Sequence, residues 1–181
     1  MKKMLILGAA CFLSAAGFAQ TETGKILVGG NASFASSKHS ESDLKITTLN
    51  FNPDAGYFFI DNLAGGLRLQ LGTATTKVGD FKEKSNAVAV APFVRYYFVP
   101  LSEKIKLFGD ASYSFGSQKE EAEGEEDKTK YSGFTISAGP AFFLTENTAL
   151  ELNVFYNSTK IKDVDGRNNI FGVGLGFQIH L

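Results

Sequence analysis

The chain has 181 residues, 44% hydrophobic and 13% aromatic, with 18 Lys and Arg against 19 Asp and Glu for a formal net charge of −1. Residues 1–19 read as a secretory signal peptide: Lys2 and Lys3, an apolar stretch over 4–16, then Gly17 and Ala19 before a cut at Gln20. Without it the balance is 16 basic to 19 acidic, which offers no basic stripe to nucleic acid, and the only cysteine, Cys11, goes with the signal, leaving no thiol for disulfide, metal or nucleophile chemistry.

The remaining residues, 20–181, show hydrophobicity with a period of two, the mark of strands that have one greasy face. In chain order the predicted strands are 25–35, 46–59, 63–75, 86–98, 105–117, 131–144, 149–159 and 169–181. The apolar face of the first half carries Ile26, Val28 and Phe34, then Leu49, Phe51 and Tyr57, then Leu67, Leu69 and Leu71, then Val88, Val90 and Val94. In the second half it carries Leu107, Tyr113 and Phe115, then Phe134, Ile136 and Phe142, then Leu150, Leu152 and Val154. The last strand alternates throughout, with Phe171, Val173, Leu175, Phe177, Ile179 and Leu181 opposite Gly172, Gly174, Gly176, Gln178 and His180. Leu44 and Ile46 fall out of phase with Leu49 and Phe51, which a bulge or a strand rising above the membrane would explain.

The other face of these strands is rich in Gly and Ala and poor in Lys and Glu, which suits the crowded inside of a narrow barrel with lipid outside. No later run approaches the roughly 18 apolar residues of a membrane helix. A membrane location therefore demands a closed barrel, the one sheet that leaves no backbone group without a partner in lipid. A strand of about 11 residues, tilted by ~40°, spans close to 28 Å, the thickness of a hydrocarbon layer. A soluble barrel with its apolar face around a cavity is the alternative; it would leave the small-residue face as an uncharged surface in water.

Connections alternate between short (60–62, 101–104, 145–148) and longer and polar (36–43, 76–85, 118–130, 160–168), as expected for periplasmic turns and outer loops. Strands two, four and six end alike, in Pro53-Asp-Ala-Gly-Tyr-Phe-Phe59, Pro92-Phe-Val-Arg-Tyr-Tyr-Phe98 and Pro140-Ala-Phe-Phe-Leu144, which places aromatic residues at one height, as in an interfacial girdle.

With its signal peptide, the hairpin Tyr57-Phe-Phe-Ile-Asp-Asn-Leu-Ala-Gly-Gly-Leu67 and apolar alternation running to the C terminus, the chain resembles the small eight-stranded outer-membrane barrels of Gram-negative bacteria, the class of outer membrane proteins A, X and W. The resemblance implies an all-β fold, an eight-stranded antiparallel up-and-down transmembrane β-barrel in the cell outer membrane, inserted by the barrel assembly machinery. It also implies outer-membrane lipids and lipopolysaccharide as surroundings. Leu181 stands where the family's assembly signal usually has an aromatic residue.

Inward positions carry Asp54, Arg68, Arg95, Lys106, Asp110 and Glu151. Unpaired charges are costly in a low-dielectric lumen, so these six are expected to neutralise one another as a structural network. Pairing Phe59 with Leu63 sets Asp54 opposite Arg68, and a four-residue turn after Pro100 sets Arg95 opposite Asp110.

Glu120, Glu121, Glu123, Glu125, Glu126 and Asp127 read as a solvated loop, or as carboxylates bridged through Mg²⁺ or Ca²⁺ to lipopolysaccharide phosphates. Asp163-Val-Asp-Gly166 lacks the spacing of a calcium loop and reads as a turn. His39 beside Ser40, and His180, come with no base and nucleophile set, so neither catalysis nor a cofactor or metal site is expected. The function read from these features is a non-enzymatic envelope protein acting through envelope integrity or an unknown surface partner at its outer loops. A narrow porin-like channel for small solutes and an adhesin are the alternatives.

Overall fold

The computed structural model describes residues 19–38, 44–79, 81–122 and 125–181. All of the expected signal peptide except Ala19 lies outside the described residues, as do His39 and Ser40. A short 3-10 turn, Ala19–Thr21, is followed by eight strands: β1 (Ile26–Lys38), β2 (Leu44–Ile60), β3 (Leu63–Val78), β4 (Phe81–Ser102), β5 (Ile105–Ala122), β6 (Glu125–Phe143), β7 (Thr148–Ile161) and β8 (Asn168–His180). Each pairs antiparallel with the next, and β8 returns to β1 to close an eight-stranded barrel. At the seam Leu27 faces His180 and Ala32 faces Leu175, and Ile26 and Leu181 exchange two backbone hydrogen bonds of 2.8 Å.

Leu69, Val94, Leu152 and Leu175 are 39%, 48%, 46% and 68% exposed, whereas Arg68 and Glu151 are 5% and 2% exposed. The oily face therefore points outward and the charged face inward, the reverse of a soluble barrel built around an apolar cavity. Leucine, valine and phenylalanine side chains ring the outside at this density only where acyl chains replace water. Inside, small residues let neighbouring strands keep close backbone contact. A Cβ on Gly66 would collide with the carbonyl of Ala55, and Gly30, at φ +148°, lies against the carbonyl of Asn52 in a conformation that favours glycine.

Prolines punctuate the ladders. The β2–β3 pairing skips Asn52 and Pro53, β4–β5 skips Ala91 and Pro92, and β6–β7 skips Gly139 and Pro140, because proline has no N–H to donate. Outward aromatic pairs edge the wall near the short turns, Tyr57 with Phe59 at 5.5 Å and Tyr96 with Phe98 at 5.1 Å between ring centroids. Not all aromatic residues in the three repeated strand ends join this girdle: Phe58, Phe93, Tyr97 and Phe143 point inward and are buried. Their odd-even phase opposes that of their outward neighbours.

The structure corrects three expectations and decides one alternative left open by the sequence. Asp54 does face Arg68, but the hairpin closes through Ile60 opposite Leu63, with the register shifting between Phe58 and Ile60 so that Phe59 is an extra residue. The turn is thus Asp61 and Asn62, the latter at φ 66°. β4 likewise runs on to Ser102 through register shifts around Pro100, with Arg95 opposite Asp110 and Ser102 opposite Ile105. Two of the four expected loops are largely strand, with pairing continuing to Val78 with Phe81 and to Ala122 with Glu125, and in the first, pairing continues to Lys38 with Lys45 at the edge of residues 39–43, which lie outside the described residues. Above the lipid a strand needs no apolar face, so it keeps its ladder after its hydropathy signal has gone. Finally, β2 passes Leu44 and Ile46 without a register shift against either neighbour, which excludes the bulge; both sit where the strand outruns the apolar band. The fourth connection, 162–167, remains a turn with Asp163 at φ 63° and Gly166 at φ 95°.

A candidate functional site in the barrel lumen

The lumen is stacked in three layers. Nearest the short turns is an aromatic layer of Phe58, Tyr97, Phe108 and Phe143 around His180, all fully or almost fully buried, with His180 at 5.9, 5.6 and 5.3 Å from the rings of Phe58, Tyr97 and Phe143. The N-terminal turn closes this end. Thr21, 2% exposed, donates from Oγ1 to Asn62 Oδ1 at 2.5 Å and accepts from Lys106 Nζ at 2.8 Å.

Above it lies an ion cluster drawn from five strands. Arg68 on β3 donates from Nε and Nη2 to Asp54 Oδ2 on β2 at 3.1 and 3.0 Å, and from Nη1 and Nη2 to Asp110 on β5 at 3.0 and 2.9 Å. Arg95 on β4 shares Asp110 through Nε at 3.1 Å and grips both oxygens of Glu151 on β7 through Nη1 at 3.0 and 3.2 Å. Gln178 Nε2 adds a bond to Asp54 Oδ1 at 3.2 Å. Aromatic faces cover the guanidinium groups: Arg68 lies 4.8 Å from the Phe93 centroid and Arg95 4.8 Å from that of Phe108.

The two layers are joined through Tyr97, whose hydroxyl donates to Glu151 Oε1 at 3.1 Å and lies 3.2 Å from His180 Nε2. A hydroxyl has one proton to give, and the carboxylate takes it. His180 Nε2 must then be the donor toward Tyr97, leaving Nδ1 as the bare lone pair, and Nδ1 has no hydrogen-bond partner.

The third layer is a cavity of about 270 Å³ toward the far rim, lined by amides and hydroxyls interspersed with Leu71, Phe155 and Ile170 and floored by Arg68 and Arg95. The amides bond sideways along the wall, Asn52 to Asn31 at 2.7 Å and Asn157 to Thr135 Oγ1 at 2.9 Å.

The structure thus brings together five of the six inward charges read from the sequence: Asp54, Arg68, Arg95, Asp110 and Glu151. Lys106 stands lower, at the N-terminal turn. Sequence reasoning missed Tyr97 and Gln178 as members of the cluster, and the aromatic layer altogether. The signal was there, since Phe93 and Tyr97 share the phase of Arg95, but aromatic residues near a membrane interface look like a girdle. Among the described residues no group of three or more His, Cys, Asp or Glu is placed to hold a metal ion. The side chains of the acidic run, 120–127, lie outside the description.

A scan against protein families matches residues 5–178 to the outer membrane protein beta-barrel domain. The chain belongs to this family. The outer membrane beta-barrel domain described here is similar in fold to three solved structures. Neisserial surface protein A matches at a TM-score of 0.55 and 17% identity, over 87% of this chain and 97% of that one. The N-terminal barrel domain of Pseudomonas aeruginosa OprF matches at 0.54 and 13%, over 88% and 98%. OprG of Pseudomonas aeruginosa matches at 0.53 and 11%, over 91% and 99%. No curated protein matches the sequence. An outer membrane beta-barrel domain of this kind resides in the outer membrane of a Gram-negative cell, amid lipid and lipopolysaccharide.

Proposed function

We propose that the protein is a non-enzymatic barrel whose lumen is plugged, so that it acts through its wall and its far rim, in envelope integrity or contact with a surface partner. One observation carries this reading: the ion cluster spans the bore from β2 to β7, with the aromatic layer packed directly beneath it. Eight strands leave a bore that side chains can fill, and here charged and aromatic side chains fill it. In this reading Asp54, Arg68, Arg95, Asp110, Glu151 and, below them, Lys106 are structural, residues 1–19 are removed on export, and the barrel assembly machinery inserts the remainder. The short-turn end, where β1 begins and β8 ends, faces the periplasm. The far rim faces out.

The test is the purified protein in planar bilayers. Conductance near background is expected; large, stable unitary steps overturn the proposal. They would favour the second reading, a narrow channel for small solutes, for which the cavity above Arg68 and Arg95 would be the vestibule.

A further inference from the structure

The far rim carries a row of like charges that the fold itself does not explain. Lys45 on β2 faces Lys77 on β3, and Lys77 faces Lys82 on β4. Each stands an even number of residues from an outward side chain of its own strand, Leu49, Leu71 and Val88, so all three share the outer face. Neighbouring strands are ~4.8 Å apart, so three ammonium groups stand side by side on the outside of the wall. All three residues are exposed, and none is in an ion pair among the described residues. Lys84, between Thr75 of β3 and Glu121 of β5 in the register, stands one outward step nearer the apolar band.

Like charges directly opposite one another weaken a sheet. A wall bathed only in water would be better off with a neutral residue in place of Lys77. Between the row and the apolar band the outer face is polar, with Thr47, Thr73, Thr75 and Asn86 around Lys84, the composition of a headgroup layer. Four residues separate Lys45 from Leu49, an axial rise of ~10 Å, and a lysine stem can fold back toward the band to place its ammonium lower.

We propose that Lys45, Lys77 and Lys82, assisted by Lys84, bind the phosphate groups of the outer-leaflet glycolipid, lipopolysaccharide, by direct ammonium contact without a bridging metal ion. The inference rests on the far rim facing outward, as in the proposed function.

Wild-type protein and the triple variant Lys45→Gln/Lys77→Gln/Lys82→Gln, folded in a zwitterionic detergent with EDTA present, are titrated with phosphorylated and with dephosphorylated rough lipopolysaccharide. Wild type is expected to prefer the phosphorylated form. The variant should lose roughly fivefold in affinity per lysine, on the order of a hundredfold in all. Lys25→Gln/Lys104→Gln, at the short-turn end, should change nothing. Equal affinities for wild type and the triple variant overturn the proposal, as does a requirement for Mg²⁺. Equal competition by inorganic phosphate would assign the row to a soluble anion instead and also overturns it. As a control on folding, Lys77→Gln alone should melt no lower than wild type in lipid-free detergent and gain less from added lipopolysaccharide; a lower melting temperature without lipid counts against the row being repulsive. Orientation is read separately. A Gly166→Cys variant should react with a membrane-impermeant thiol reagent on intact cells, and failure there sinks the orientation while leaving the detergent titration to judge the phosphate chemistry.

Discussion

Arg68 and Asp110 meet across the lumen through two parallel hydrogen bonds of 3.0 and 2.9 Å, while the same Asp110 also accepts from Arg95 at 3.1 Å. Asp110 is thus the node through which two guanidinium groups are compensated. Asp110→Asn leaves Arg68 on Asp54 and Arg95 on Glu151 but removes the charge assistance of three buried hydrogen bonds, and should destabilise the barrel by about 1–3 kcal/mol. Urea unfolding of the protein in detergent or lipid, with the two forms compared under one condition, measures it. A loss under about 1 kcal/mol would show that the cluster is hydrated and of little structural weight.

Removing the two cations should have a different signature. Arg68→Ala/Arg95→Ala clears the two side chains that floor the cavity and leaves Asp54, Asp110 and Glu151 uncompensated. In planar bilayers this variant is expected to show small unitary steps that select for cations, against near-background current for wild type. A shift in gel mobility on boiling confirms that the variant tested is folded.

At the short-turn end, Asp61 accepts from the backbone N–H of Thr23 at 2.9 Å and from its hydroxyl at 2.8 Å, tying the N-terminal segment to the β2–β3 hairpin. The Thr23 backbone N–H, and then its hydroxyl, hold the Asp61 carboxyl below the ordinary carboxylate range. A carboxyl depressed on folding contributes stability above its unfolded pKa and loses it as pH falls through the folded value. Protection of the N-terminal segment from proteolysis should therefore weaken on acidification below the usual aspartate range, near pH 4 and under. In Asp61→Asn that acid limb should flatten; an unchanged pH profile in the variant refutes the assignment.

Gly30 offers a test of the seam. At φ +148°, with the Asn52 carbonyl where a Cβ would go, Gly30→Ala forces a strained residue between β2 and β8 and should cost about 1–3 kcal/mol. Gly166→Ala, in the open 162–167 turn at φ 95° with nothing within 4 Å of the added Cβ, isolates the backbone strain from the clash. The first should lower the unfolding midpoint more than the second.

What the sequence made legible was whatever repeats with the pleat. The strands with long apolar alternation, β7 and β8 above all, and the pairing of Asp54 with Arg68 and of Arg95 with Asp110 follow from phase and a short turn. Phase survives small errors at a turn: the bulge at Phe59 absorbs the residue that separates a three-residue from a two-residue connection, so the pairing at Arg68 is unaffected. Length was harder to read, because hydropathy reports lipid contact and the strands outrun the lipid. Lys77–Lys82 and Lys119–Lys128 are cross-strand partners whose composition reads as loop. The site was half visible. Charges on a small-residue face announce themselves, but Tyr97 and Phe93 were hidden among aromatic residues of the opposite phase, and Thr21 reaches Lys106 across 85 positions that no local pattern connects.

The order in which the lumen charges occur along the chain bears on how such a wall could be threaded into a bilayer. Asp54 and Arg68 belong to one hairpin, Arg95 and Asp110 to the next, so each of these two units brings a matched couple to the cluster, with Lys106 of the second standing apart at the N-terminal turn. Glu151 breaks the rule, because β7 brings an anion whose cation already sits on β4. Two hairpins can thus leave water with their cluster charges already paired, whereas the third must find a guanidinium waiting across the bore before its carboxylate can follow.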